Sequence, residues 1–580
     1  MEKIKKLLII LITLHIFYFN SHSQIFTEVA KQVGINHQFE VYEGSFGGGA
    51  VVFDFNNDGY EDVFIAGGMA PDVLYLNKKN GTFENVYEKS GLKTKLKYIT
   101  QGAVSADINK DGWRDLFITT ITTKENKEKI PRAPNLLFIN NGNGTFRNAT
   151  KEYGLEEYLS FSTAAMFGDV NEDGYPDLYV GNYFKEFQGK LSLIDDEIIV
   201  GSKQMAKGYL LINKNGKKFV DEYTEYGMLH KGFGFGGVFT DFDNDHDLDL
   251  IINHDFGYKN TPNKLLENKY PNDEFKDISD TMKMNLGINA MGTAVGDYND
   301  DGLLDYFITN IRGNKFMVNQ GKGKPFIDMS QKLGTRFTRV ADEEGVYQPV
   351  SWGANFADFD NDGDLDLFVA NGCLNPYVEP NPDYYFENIN RQYINKSIEK
   401  KLADRGVSRG SVVFDFDNDG DLDLLVVNQQ PINNSFSQSS PTLFYRNDSV
   451  SGNWLKIQLT GIDQDKNGIG ARVEVTIGRQ KIIREIDGGS SHSSQNSTIA
   501  HFGLGTAKIV DTVRIIWVGG KEQVRVHQKV NQVLKIVENN NTGHGVKKIY
   551  WLLLLLPVML VIVFFFIKRK NIKIDKTPAA

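Results

Sequence analysis

Seven nine-residue segments of this 580-residue chain share the pattern Asp-x-(Asn/Asp)-x-Asp-(Gly/His)-x-x-Asp, about sixty residues apart. In a sharply turning loop, alternate side chains at positions one, three and five converge. Position seven can add its main-chain carbonyl, and position nine closes the cage. An all-oxygen donor set of this kind suits calcium and disfavours zinc and copper. The spacing gives the ligand sets Asp54/Asn56/Asp58/Tyr60/Asp62, Asp107/Asn109/Asp111/Trp113/Asp115, Asp169/Asn171/Asp173/Tyr175/Asp177 and Asp241/Asp243/Asp245/Asp247/Asp249. The remaining three are Asp297/Asn299/Asp301/Leu303/Asp305, Asp358/Asp360/Asp362/Asp364/Asp366 and Asp415/Asp417/Asp419/Asp421/Asp423. Glycine at position six permits the turn; His246 stands there in the fourth segment, and because a histidine can adopt a left-handed conformation only at some cost, a weaker site is expected. About seven structural Ca²⁺ sites are therefore expected.

Such loops need rigid flanks, and the sequence supplies them. Apolar runs precede and follow each loop, as in A-V-V-F-D-F-N-N-D-G-Y-E-D-V-F-I-A. A second signature follows, L-Y-L-N at 74–77 or L-F-I-N at 137–140, and most copies then turn into an aromatic strand such as G-T-F-E-N-V. Two hairpins per repeat make a four-stranded blade, so the expected fold is an all-β, seven-bladed β-propeller spanning 24–450. The seventh repeat lacks its last strand, and I-F-T-E-V-A-K-Q-V-G-I at 25–35 resembles the missing piece. The N-terminal strand is thus expected to close the ring and remove its exposed sheet edges.

A small pair stands just ahead of every loop (Gly49-Ala50, Gly102-Ala103, Ala164-Ala165, Gly236-Gly237, Gly292-Thr293, Gly353-Ala354, Gly410-Ser411), as crowded innermost strands require. The longer connections fall on the face opposite the acidic loops, where recognition is expected. Trp352, Arg409, Tyr183, Phe187, Tyr377 and Tyr384 are the ligand-binding candidates there.

The formal net charge of -10 is largely loop chemistry and would be offset by bound divalent ions, so it is no partner signal; nothing points to nucleic acid. Cys373 is the one cysteine, so no intrachain disulfide can form. Residues 1–23 have a basic start, an apolar stretch from Leu7 to Phe19 and small residues at the end, which reads as a secretory signal peptide. A small all-β domain is expected at 451–538, then a linker at 539–549. The apolar stretch 550–567 reads as a transmembrane helix, and Lys568, Arg569 and Lys570 place the tail 568–580 in the cytoplasm. The ectodomain then lies at a cell surface or in a periplasm. His492 and His501 are expected to be structural. G-V-S-R-G at 406–410 leads straight into a strand, so it is no nucleophile elbow, and no other catalytic signature stands out.

The acidic loops resemble FG-GAP (VCBS-type) repeats, as in the integrin α-chain propeller. I-G-A-R-V, G-G-S-S-H-S-S-Q, H-F-G-L-G and V-D-T-V-R-I-I-W resemble the ASPIC/UnbV domain. Their order is that of the cartilage acidic protein family and its bacterial relatives. An EGF-like module found in animal members cannot be built from one cysteine. The resemblance implies extracellular calcium binding and adhesion or ligand capture, with calcium loops away from the ligand face. The expected function is a membrane-anchored, extracytoplasmic calcium-binding protein that recognises a protein or glycan and is not an enzyme. A propeller-based polysaccharide lyase or hydrolase is the alternative.

Overall fold

A computed structural model describes residues 26–42, 46–95, 98–123, 132–185, 200–201, 203–342, 345–375, 381–431, 440–448 and 452–539. Almost all regular structure is β. Before residue 450 the chain forms seven successive four-stranded antiparallel sheets among the described residues. The first consists of Ala50–Phe53, Asp62–Ile65, Val73–Asn77 and Phe83–Asn85 in meander order. The next five repeat this order over 98–148, 162–221, 233–277, 293–328 and 351–395. The seventh joins Ser408–Phe414, Asp423–Asn428 and Leu443–Asn447 to the N-terminal strand Phe26–Glu28, with Phe26 opposite Asn447. In every sheet the acidic loop connects the first strand to the second.

One residue per sheet welds the ring. The asparagine ending each third strand turns its side-chain amide onto a loop carbonyl of the preceding sheet. Asn140 donates to Phe55 O at 2.8 Å, Asn213 to Ile108 O at 3.0 Å and Asn268 to Val170 O at 2.9 Å. Asn319 donates to Phe242 O at 2.8 Å, Asn388 to Tyr298 O at 3.3 Å and Asn447 to Phe359 O at 2.7 Å. Asn77 of the first sheet closes the cycle on Phe416 O of the seventh, at 2.7 Å. The result is a propeller-like all-β ring. Apolar clusters fill the spaces between neighbouring sheets; one joins Phe83 and Leu74 of the first sheet to Phe416 and Phe444 of the seventh.

The C-terminal module has two sheets. Asn453–Thr460 lies between Ala500–Gly505 and Gln532–Val537, and a four-stranded sheet orders Gln480–Glu485, Arg472–Ile477, Ile509–Ile516 and Glu522–Lys529. Leu455, Val473, Phe502, Val513 and Trp517 are buried between them. No helix among the described residues is long and apolar enough to cross a membrane. The expected signal peptide at 1–23 and the span at 550–567 lie outside the described residues.

Candidate metal centres

Each acidic loop is preorganised by its own backbone. In the first, Asp54 accepts the Asp58 N–H on Oδ1 at 3.0 Å and the Gly59 N–H on Oδ2 at 2.7 Å. Asp58 Oδ1 in turn accepts the Tyr60 N–H at 3.0 Å. The same contacts recur in the other six; in the fourth, Asp241 accepts the N–H of Asp245 at 3.1 Å and of His246 at 3.2 Å. Position four is left-handed throughout, from Asn57 (φ 55) to Asn418 (φ 62). Position six is left-handed too, and His246 adopts it at φ 79 without a glycine's freedom. Its Nδ1 lies 3.5 Å from Asp241 Oδ2, and that carboxylate raises the imidazole pKa above its ordinary value.

The ninth-position aspartates sit deepest. Asp62, Asp115, Asp177 and Asp305 have no exposed surface, and Asp249, Asp366 and Asp423 are nearly as buried. Backbone amides hold them: Asp62 accepts from Asn77 N at 2.8 Å and Phe55 N at 3.2 Å, and Asp423 from Asn447 N at 2.9 Å and Phe416 N at 3.1 Å. Asp366 replaces the second of these with the Tyr385 hydroxyl at 2.8 Å. Among the described residues no lysine, arginine or histidine forms an ion pair with any of the seven. Burial therefore pushes each well above the ordinary carboxylate range, and neighbouring aspartates add to the shift, as Asp247 and Asp243 do for Asp249. Asp107 at the first position is pushed up to about 7, chiefly by burial, with the nearby Asp111 adding to it.

The ninth-position carboxylates, buried, repelled by their neighbours and without a side-chain counter-charge among the described residues, are what a bound cation neutralises. Among the described residues, three loops bring the ligand atoms of three carboxylates within 4.8 Å of one another: Asp241/Asp243/Asp249, Asp358/Asp360/Asp362 and Asp415/Asp417/Asp423. The donors are all oxygen, so the residues fit a hard divalent ion. Positions one, three, five and nine, with the carbonyl of position seven, would hold it.

In the other four loops position three is the expected asparagine, an amide beside three carboxylates. Asn56, Asn109, Asn171 and Asn299 are half-buried and turn onto the position-five carboxylate of their own loop. Their Nδ2 atoms donate to Asp58 Oδ2 at 3.0 Å, Asp111 Oδ2 at 2.9 Å, Asp173 Oδ2 at 3.2 Å and Asp301 Oδ2 at 3.0 Å. Each Oδ1 accepts the main-chain N–H of that same aspartate, at 3.0 Å in three loops and 3.1 Å in the third. Position five is exposed in both kinds of loop, at Asp111, Asp173, Asp245, Asp301, Asp362 and Asp419. An amide at position three supplies a donor that satisfies one oxygen of the neighbouring carboxylate, whereas aspartate at position three can only repel it. These four cages therefore carry one carboxylate fewer.

Position seven enters the expected sets through its carbonyl, and the side chains of Trp113, Tyr175 and Leu303 pack elsewhere. The N–H groups of Trp113, Tyr175 and Leu303 donate to Asp111 Oδ1 at 2.9 Å, Asp173 Oδ1 at 2.9 Å and Asp301 Oδ1 at 3.0 Å. Trp113 packs beside Gly142, the Lys110 ammonium lies 4.4 Å over the Tyr175 ring, and Leu303 lies beside Gly321.

Position four was missed by the sequence reading. Where it is asparagine, the side-chain amide reaches the position-six carbonyl of the next loop: Asn57 to Gly112 O at 2.9 Å, Asn244 to Gly302 O at 3.2 Å, Asn361 to Gly420 O at 3.4 Å and Asn418 to Gly59 O at 3.3 Å. The enrichment of asparagine there, at a left-handed position, was the available signal.

The C-terminal module covers this face and touches every loop. Lys456, 4% exposed at its side chain, places Nζ 2.7 Å from Asp415 Oδ2 and 2.6 Å from Asn418 Oδ1. Arg472 donates to Gly302 O at 2.9 Å, and Gln480 to Asp300 Oδ2 at 3.0 Å. His501 sets Nε2 2.9 Å from Gly420 O, Gly505 N donates to Asn361 O at 2.8 Å and Gly519 N to His246 O at 2.8 Å. Ser497 donates to Glu61 Oε1 at 2.7 Å, Asn467 Oδ1 accepts the Asp107 N–H at 3.2 Å, and Gly174 abuts Asp463.

From this seat the segment 487–496, with the sequence D-G-G-S-S-H-S-S-Q-N, enters the middle of the ring. Ser491 N donates to Thr293 O at 2.8 Å, Gln495 N to Ala50 O at 3.0 Å, and the Ser105 N–H to Gln495 Oε1 at 2.6 Å. The small pairs have a second reason to be small. A Cβ on Gly49 or Gly102 would lie 1.9 or 2.1 Å from Ser493 O, and on Gly292 2.4 Å from Ser491 O. At the tip, His492 is buried with Nε2 2.9 Å from Phe46 O; burial lowers its pKa to about 4. Both expected structural histidines thus hold backbone, in separate surroundings.

This insertion changes the place of the ligand-binding candidates. Trp352 and Arg409 are each 1% exposed. Trp352 packs edge-on to His492 at 5.1 Å and donates from Nε1 to Gly372 O at 2.7 Å, while the Arg409 guanidinium lies 4.0 Å over the Trp352 ring. Tyr183 donates to Asp255 Oδ2 at 2.6 Å and is fully buried, and Tyr384 is buried against Phe337. Expected as ligand contacts on the face opposite the acidic loops, these four instead line the seat of the inserted segment or the apolar core, closed to an external ligand. Phe187 and Tyr377 lie outside the described residues. The opposite face keeps an open cleft of about 840 Å³, lined by Tyr258, Asn289, Asn310, Arg312, Gln348 and Leu374 among others, with Tyr258 half-exposed.

Comparison with known proteins agrees with the two-part organisation. Residues 461–543 match the ASPIC and UnbV family, and residues 54–118, 107–180, 297–369 and 358–426 match the FG-GAP-like repeat. The fourth loop, with His246, falls outside those matches although it is built like the others. Cartilage acidic protein 1 of Xenopus tropicalis is 26% identical over 517 residues, covering 84% of this chain and 73% of that protein. Integrin alpha-V of Gallus gallus is 26% identical over 159 residues, 24% of this chain and 15% of that one. Among solved structures, an Agrocybe aegerita lectin aligns over 67% of this chain and 85% of its own at 15% identity and a TM-score of 0.32, too loose to argue from.

Proposed function

We propose that this chain, which carries FG-GAP-like repeats followed by an ASPIC and UnbV domain and is similar to cartilage acidic protein 1, is an extracytoplasmic recognition or adhesion protein built on a calcium-stiffened, seven-bladed propeller. The observation that carries this reading is the repetition in seven loops of one oxygen cage around a buried aspartate that no lysine, arginine or histidine pairs among the described residues. When bound, Ca²⁺ supplies the positive charge that those carboxylates lack; the chain's own amides position the ligands beforehand. The likeness to an integrin α chain supports divalent-ion binding and an extracellular role.

Ligand recognition falls to the face opposite the loops, since the module occupies the loop face. The cleft with Tyr258, Arg312 and the amides of Asn289, Asn310 and Gln348 offers one ring face and several polar groups, which suit a glycan or a polar protein surface. The stretch 550–567 would tether the ectodomain to a membrane, with residues 1–23 directing export. Calorimetric titration of the chelated protein with CaCl₂ tests the metal reading: stoichiometric uptake is expected, and absence of binding at millimolar calcium contradicts it. A glycan array and a panel of polysaccharides test the rest. Retention without turnover is expected, whereas released unsaturated or reducing-end products would make it an enzyme.

A further inference from the structure

The two faces of the ring carry opposite charge. Aspartate gathers in the seven loops on one face, whereas the residues lining the cleft on the other include Arg312 and no aspartate or glutamate. The chain as a whole has 74 acidic against 64 basic residues, so the cleft departs from its background.

Further cations stand around the rim. Gly313 follows Arg312, and a Cβ there would lie 3.4 Å from Arg336 Nε, so Arg336 packs over the same turn. The Lys259 ammonium lies 5.5 Å from the centre of the Tyr258 ring, and Tyr258 lines the cleft. Arg339 precedes Val340, which pairs with the lining residue Tyr347. Lys259, Arg312, Arg336 and Arg339 are all exposed, and among the described residues no carboxylate pairs with any of them. Asp342, on the same hairpin, stands opposite Gly345 at its turn end, two pairs beyond Tyr347. Arg312 also holds a left-handed backbone (φ 63), which glycine or asparagine adopts at less cost.

Like charges gathered without counter-ions repel one another, and a cleft focuses their field on whatever enters it. A guanidinium is planar and forks onto two oxygens of a carboxylate or sulfate, so an anion of that shape relieves the repulsion. The rest of the lining fits a sugar. Tyr258 offers a half-exposed ring, the Gln348 amide is exposed, and Asn289, 8% exposed, leaves Oδ1 without a hydrogen-bond partner. Amides that both donate and accept match hydroxyl groups.

We propose that the cleft opposite the acidic loops binds an anionic polysaccharide, with Arg312 and Arg336 on its uronate carboxylates or sulfate esters and Tyr258 against a sugar ring. This rests on the recognition reading above and narrows it to one charge class.

Thermophoresis of the full-length protein with CaCl₂ present tests this, using tetragalacturonate, its neutral methyl ester, a heparin tetrasaccharide and a glutamate octapeptide. Tetragalacturonate or the heparin fragment is expected to bind at least tenfold more tightly than the ester and the peptide, and the one that binds identifies the anion. Added NaCl is expected to weaken it. The double variant Arg312→Asn/Arg336→Gln, whose asparagine suits the left-handed backbone, is expected to lose at least tenfold in affinity with Tm unchanged. Lys217→Gln/Lys218→Gln, on the turn beside Asn109 of the second loop, is expected to keep the wild-type affinity. Equal binding of the neutral ester, or only neutral hits on the glycan array, would overturn the proposal and leave glycan recognition standing. Affinity kept by the arginine variant, or lost equally by the lysine variant, would overturn it as well. Binding of the peptide alone would overturn it in favour of an acidic protein partner. No saccharide bound in either assay would remove the glycan reading, and the proposal with it.

Discussion

The seven loops share one cage but divide into two kinds at position four. Those beginning at Asp54, Asp241, Asp358 and Asp415 carry asparagine there and clasp the next loop around the ring. Those beginning at Asp107, Asp169 and Asp297 carry Lys110, Glu172 and Asp300 and turn to the module: Lys110 donates to Asp463 O at 2.8 Å, Glu172 lies against Gly519, and Asp300 accepts from Gln480. An amide can do both at once. Asn418 donates to the first loop through Nδ2 while its Oδ1 accepts from Lys456. The cage residues are held alike in all seven loops, and the side chain at position four reaches the neighbouring loop, the module or both.

The largest test removes what the two kinds share. Each extracellular-type site with a dissociation constant of about 10⁻⁴ M contributes roughly 1.4 kcal/mol at about 1 mM calcium, so seven independent sites give about 10 kcal/mol. Excess EGTA is expected to lower Tm by on the order of 10 °C or more, read by circular dichroism; an unchanged melt would erase the distinction between the kinds. Next, Asn418→Ala is expected to cost about 2 kcal/mol, because it leaves the buried Lys456 ammonium short of a partner and puts alanine at a left-handed position. His246→Gly should relieve the strained backbone of the fourth loop, gaining about 1 kcal/mol and tightening calcium binding there despite the lost Asp241 contact. The smallest effect, about 0.5 kcal/mol, is expected for Lys110→Ala, whose contacts are exposed. If Lys110→Ala proved as costly as Asn418→Ala in denaturant titrations, the two kinds of loop would not differ in the way described.

Much of this was legible from the chain. The nine-residue spacing fixes its own donors locally, so the cages and their flanking strands follow from short-range pattern alone. What the spacing does not reveal is how an asparagine at position three is used: Asn56 and its three counterparts hold the position-five carboxylate through Nδ2, a choice set by the orientation of one amide. The pairing of Phe26–Glu28 with Leu443–Asn447 could be read because the missing strand left a countable gap. The inserted segment was not legible. G-G-S-S-H-S-S-Q has neither period two nor period 3.6, and its partners Gly49, Gly102, Gly292 and Gly410 are dispersed over the whole ring. The small pairs could be placed at the axis, but not what they make room for. That gap also misplaced Trp352 and Arg409: a tryptophan and an arginine beside an axial channel look like a ligand mouth until His492 is known to stand in it.

The proposed stiffening of the ring depends on ions in the acidic loops. Crystals of the ectodomain grown at saturating CaCl₂ and measured for anomalous scattering test this directly. Seven peaks are predicted, one inside each cage between its first and ninth aspartates, the His246 loop showing the weakest. Well-ordered loops with no peak in any of them would contradict it.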